Sequence, residues 1–157
     1  MKVPLQTSVR TLGLLVGAIV STAIWAEGER LGIVQLTRGE ETFAPAQPGG
    51  PETAVLAGDP KKPQLYTIRI KIPANVKIQP HWHPEDRMSV VIAGTLQFGY
   101  GDKFDESKLK ELPPGSFFTE PAKQPHFAWA KSGEVIVQVS GVGPTGTTPV
   151  ASSVGQK

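Results

Sequence analysis

The stretch NVKIQPHWHPEDRMSVVIAG, residues 75–94, holds two of the chain's three histidines between two strand-like runs. Val76–His83 leads into Pro84, and Met88–Ala93 is a β-branched run closed by Gly94. Short apolar runs bounded by turn residues read as strands. Side chains of an extended chain repeat every two residues, so His81 and His83 share a face. Two imidazoles about 7 Å apart along the backbone can converge on one ion, and neutral imidazole is the commonest protein metal ligand. His126, the third histidine, opens another strand-like run. A single histidine in a core is ordinarily just a satisfied polar residue; this pattern makes a metal site a candidate. Lys77, Gln79 and His81 share parity, so alternation gives the strand one polar face. Such a face is costly in an ordinary sandwich and expected in a barrel that holds a ligand.

The β pattern continues on both sides. Tyr66, Ile68, Ile70 and Ile72 alternate with Thr67, Arg69 and Lys71, within a strand starting at Gln64. Thr95–Tyr100 ends at Gly101, and Pro113-Pro114-Gly115 turns into Phe117–Glu120. His126–Ala130 and Val135–Ser140 complete the series, with the charged segment Asp102–Glu111 expected as an exposed loop. Seventeen Gly and fifteen Pro punctuate the chain, and no convincing amphipathic helix or internal repeat interrupts it. The fold class is therefore all-β, a sandwich or small barrel. Residues 27–63 read as an irregular arm, with short strands at Leu31–Leu36 and Thr53–Ala57; Pro45, Pro48, Gly49, Gly50 and Pro51 forbid regular structure between them. The tail from Gly143, residues 144–157, has little to bury and is expected to fray.

A length of 157 residues suits one domain. The absence of cysteine excludes disulfide scaffolds, thiolate catalysis, zinc fingers and cysteine-held iron–sulfur clusters, leaving His and oxygen donors for any metal. Lys2 and Arg10 precede an apolar run, Leu12–Ala26, with small residues before Glu27. This is the pattern of a secretory signal, residues 1–26, cleaved after Ala26 or Ala23. The alternative is an uncleaved anchor, for which the run is short of the roughly 20 residues a span requires. A periplasmic or secreted protein, free of the membrane after cleavage, is expected. Without Lys2 and Arg10 the basic residues fall level with the 14 acidic ones, and no basic stripe suggests nucleic acid.

Two segments resemble the paired motifs of the cupins. In Asn75–Gly94, His81, His83 and Gly94 fall in place for the first motif; in Gly115–Ala130, Gly115, Pro121 and His126 fit the second, about twenty residues on. The likeness spans residues 64–143, about half the chain. It implies a single jelly-roll β-barrel preceded by the arm, one divalent transition metal (Fe, Mn, Zn or Ni) held by His81, His83 and His126, and pairing through a sheet edge, since cupins often dimerise. Four positions depart. Asn75 replaces a Gly, a mild change because Asn tolerates left-handed geometry. Lys123 replaces another, so that turn is expected to change shape, and Ala130 replaces an Asn. Arg87 stands where the family's Glu ligand belongs; a guanidinium cannot ligate a metal. Met88, the other permitted offset, offers only a soft thioether.

Three arrangements follow from that loss. Glu85 or Asp86 swings in as a carboxylate; three histidines serve alone with water positions open, as in three-His cupin dioxygenases; or the site is degenerate and Arg87 pairs with Glu85 or Asp86. Arg87 is expected in a rim salt bridge, its other reading being a clamp for a carboxylate substrate. Phe117, Phe118 and Phe127 are expected in the core. The leading function is an exported metal-binding cupin acting on a small molecule as a dioxygenase or isomerase, with Glu85, Asp86 or Glu120 as the general base. The alternative is a non-catalytic ligand-binding or sensing cupin with a degenerate metal site.

Overall fold

The computed structural model describes residues 30–45 and 47–151, so the segment read as a signal sequence lies outside the described residues. Two antiparallel sheets face one another. The first takes β1 (Ala44–Pro45), β2 (Glu52–Ala57), β3 (Leu65–Ile72), β10 (Val135–Val142), β5 (Arg87–Ala93) and β8 (Phe117–Glu120), in that spatial order. The second takes β11 (Thr148–Pro149), β4 (Lys77–Trp82), β9 (His126–Trp129), β6 (Leu96–Tyr100) and β7 (Lys110–Leu112).

Alternation builds the core. In the β3–β10 pair, Val135, Val137 and Val139 stand opposite Ile72, Ile70 and Ile68 on the inner face. Each such side chain fully buried contributes roughly 1.5–3 kcal/mol. Gly141 faces Tyr66, where a Cβ would lie 2.9 Å from the phenol oxygen, so that ring needs a glycine opposite. The outer face of the same pair is polar, with Thr67 bonded to Ser140 at 2.9 Å and Arg69 donating to Gln138 at 3.3 Å. Phe118 and Phe127 are buried as expected, whereas Phe117 points outward and is 60% exposed.

The sheets reach beyond the segment resembling the cupin motifs. Glu52–Ala57 pairs with β3, and Ala44–Pro45 pairs with β2, a proline being tolerated on an edge strand. The arm is clasped to β3 by the Arg69–Glu41 ion pair and by Lys71, which bonds Glu52 at 2.6 Å and lies over the Phe43 ring. Leu31–Leu36 is not a strand; its residues are exposed, with no neighbouring strand to pair with. Asp102–Glu111 is not simply a loop. Asp105 caps a 3₁₀ turn, Glu106–Lys108, by accepting from the Ser107 backbone N–H, and Lys110–Leu112 adds an edge strand to β6. The tail does not fray at once: Thr145 N–H donates to the Pro60 carbonyl, and Thr148–Pro149 pairs with Trp82 and His81.

Two motif departures keep the geometry of the residues they replace. Asn75 adopts φ 66° and Lys123 φ 60°, so the Lys123 turn retains a glycine-like shape instead of changing it. Its N–H donates to the His83 carbonyl at 2.7 Å, a bond that fixes the backbone beside the site. Gly94, at φ 70°, has a steric reason too: a Cβ would run into the Glu134 carbonyl oxygen.

Candidate metal centre

Strict alternation does not place the histidines. The β4–β9 register runs Lys77 to Trp129, Ile78 to Ala128, then His81 to His126, so β4 carries one extra residue at Gln79–Pro80. A β-bulge of this kind switches which side chains face inward. Before it Ile78 packs against the core while Lys77 and Gln79 are exposed. After it His81 turns inward beside His126, and His83 follows two residues on. The polar face expected to join Lys77, Gln79 and His81 is thus broken between Gln79 and His81.

The three rings meet with centroids 4.4–5.2 Å apart, and one ring nitrogen from each lies within 4.8 Å of the others. Each Nδ1 faces a backbone carbonyl: Gln79 at 2.8 Å for His81, Gly146 at 2.7 Å for His83, Gln124 at 3.0 Å for His126. Nδ1–H therefore donates in all three, which fixes the tautomer and turns the Nε2 lone pairs toward one another, that of His83 accepting from Arg87. Burial lowers the pKa of His81 and His126; burial, then the adjacent Arg87 guanidinium, lowers His83 to about 4. Neutral imidazoles are the form a metal binds. Two tetrahedral bonds of about 2.1 Å hold their donors about 3.4 Å apart, so nitrogens lying within 4.8 Å of one another need close by at most about 1.4 Å. The residues fit a metal ion.

Arg87 is not at the rim. It is 5% exposed and bonds His83 and Glu120 in place of the expected Glu85 or Asp86: Nη1 donates to His83 Nε2 at 2.8 Å, and Nε lies 3.1 Å from Glu120 Oε2. The latter contact is off the hydrogen-bond line, leaving both atoms without a hydrogen bond. Glu85 and Asp86 are engaged elsewhere. Glu85 accepts from the Tyr66 hydroxyl at 2.6 Å, and Asp86 from the Ala122 N–H at 2.7 Å. The carboxylate brought to the histidines is Glu120, whose Oε1 accepts from Ser89 at 3.0 Å. Inward parity with Phe118 on β8 was the sequence signal for it. Gly146, which orients His83 from the tail, had no such signal.

These residues line one end of a cavity of about 480 Å³ between the sheets, its walls apolar with Ile70, Ile78, Leu96, Phe98, Phe118 and Val137. That volume is in the range of small-molecule sites.

Two facing antiparallel sheets with His81, His83 and His126 on the inner wall have the jelly-roll fold of the cupins. Residues 35–141 match the family model described as a domain of unknown function (DUF4437), and the chain belongs to that family. No curated protein matches the sequence. Among solved structures, the polyketide cyclase RemF from Streptomyces resistomycificus is similar at TM-score 0.64 and 16% identity, over 78% of this chain and 89% of RemF. An RmlC-like cupin from Shewanella frigidimarina is similar at TM-score 0.57 and 16% identity, over 73% and 96%. An oxalate oxidase in complex with the substrate analogue glycolate is similar at TM-score 0.52 and 20% identity, over 67% and 57%. At these identities the likeness is one of fold.

Proposed function

We propose that the protein is an exported metal-binding cupin whose His81, His83 and His126 hold one divalent transition metal, Fe, Mn, Zn or Ni, at the end of a small-molecule cavity. The observation that carries this reading is the common orientation of the rings, each tied through Nδ1 to a carbonyl with its Nε2 turned toward the other two. A metal there supplies Lewis-acid or redox chemistry of the dioxygenase or isomerase type. The apolar walls suit the carbon skeleton of a substrate. RemF and the oxalate oxidase support catalysis on small molecules in this fold. Pairing of two copies through the β5–β8 edge suits the exposed Met88, Ile92 and Phe117 there.

A second reading, ligand binding without turnover, draws on one observation: Glu85, Asp86 and Glu120 each have an oxygen held by a protein hydrogen bond, and the Arg87 guanidinium lies against Glu120. The deciding experiment is elemental analysis of protein purified without chelator or metal-binding tag, beside a His81→Ala/His126→Ala variant. About one equivalent of transition metal, lost in the variant, is expected. Oxygen-consumption screening then separates the two readings. Protein that stays empty after incubation with Fe(II), Mn(II), Zn(II) and Ni(II) overturns the first reading and leaves the second standing.

A further inference from the structure

Arg87 and Glu120 are direct partners across β5 and β8. Both are 5% exposed and both point into the barrel, toward His83. Glu120 Oε2 lies 3.4 Å from His83 Nε2 and 3.6 Å from His126 Nε2. With Nδ1–H committed to carbonyls, those Nε2 atoms carry lone pairs and no proton. The carboxylate oxygen and the two imidazole nitrogens therefore face one another acceptor to acceptor. Such a grouping is unfavourable unless a cation sits among them, and the Arg87 guanidinium stands against two of the three, His83 Nε2 and Glu120 Oε2. Glu120 Oε2 has no hydrogen-bond partner of its own, while Oε1 is pinned by Ser89. Fixing one oxygen aims the other, as partners behind metal-bound carboxylates do.

We propose that Glu120 is the fourth protein ligand of the metal, supplied by β8 in place of the carboxylate lost from β5, and that Arg87 competes with the metal for His83. This rests on the three-histidine reading and extends it to a named oxygen donor and a named competitor. The guanidinium donates to the His83 Nε2 lone pair that a metal requires. Uptake of the ion breaks that hydrogen bond, and Arg87 keeps Glu120 as its ion-pair partner through Nε. Arg87 thereby sets how readily the site fills: the same cation that holds the empty site together opposes loading by its charge and by occupying a ligand atom.

Cobalt(II) titration tests this, read by bound cobalt at equilibrium and by the visible absorption of the ion, which reports the donor set. Glu120→Gln is expected to weaken binding by at least about 10–100-fold, the range for losing a partner behind a ligand, and to change the spectrum. Arg87→Gln is expected to tighten binding. Glu120→Gln leaves Arg87 buried and unpaired, so its fold is at risk. The Glu120→Gln/Arg87→Gln variant removes both charges together and so leaves neither buried without its partner; it is expected to fold, as judged by circular dichroism, and to show the altered spectrum. A wild-type spectrum in both variants lacking Glu120, or in the double variant if the single one does not fold, removes Glu120 from the ligand set and leaves the three-histidine site standing. Unchanged or weaker binding in Arg87→Gln removes the competition. Wild-type protein that binds no cobalt overturns this proposal together with the reading it rests on.

Discussion

Tyr66 shows how a single residue outside the metal centre shapes the molecule's response to pH. Its ring is fully buried and its hydroxyl donates to Glu85; burial, then that carboxylate, raise its pKa from 10.0 to about 12. Between those values the unfolded chain releases a proton that the folded protein keeps, so stability falls as pH rises from 10 toward 12. Tyr66→Phe is expected to flatten that slope while costing roughly 1 kcal/mol at neutral pH for the lost hydrogen bond. Urea midpoints at pH 9, 10 and 11 check this; an equally steep slope in the variant would refute it. The Glu85 contact also explains a limit of sequence reading. Glu85 and Asp86 follow the histidine pair closely in sequence, which makes them look like site residues. One turns to Tyr66 and the other to Ala122, while Glu120, distant in sequence, arrives by cross-strand register with Arg87. Register joins residues that sequence proximity does not.

Among the elements, β4 and β11 carry the site. The histidine pair, its turn residues and most strands of the barrel were legible, because period-two patterns and glycine–proline boundaries are local properties. The β4 bulge was not, since an extra residue shows only against the partner strand. Nor was the tail, whose Gly, Thr and Pro residues bury little yet place one carbonyl behind His83. Deleting residues 144–157 removes that carbonyl and β11 together. The shortened protein is expected to keep its far-ultraviolet circular dichroism and to bind metal about 10–100-fold more weakly. Undiminished affinity, measured by competition with a chromophoric chelator, would show that His83 is oriented without Gly146.

For the molecule as a whole, metal binding and folding are linked, because the donors converge only when the sheets have closed. A ligand at 100 times its Kd stabilises the folded state by about 2.7 kcal/mol. For a domain of this size that corresponds to a rise in Tm of several degrees. Calorimetry of metal-loaded and chelator-treated protein is expected to show that difference, and the His81→Ala/His126→Ala variant to lack it; equal increments in both would place the stabilising ion elsewhere. The β4 bulge gives this linkage an evolutionary side. A three-nucleotide deletion that removed Gln79 or Pro80 would take out the extra residue and restore plain alternation, leaving one residue between Ile78 and His81, so that His81 still meets His126 and both histidines of the strand still face inward. Each strand would remain, and so would the apolar walls. A lineage could therefore lose the bulge in one codon while inheriting both the barrel and the inward set of its histidines.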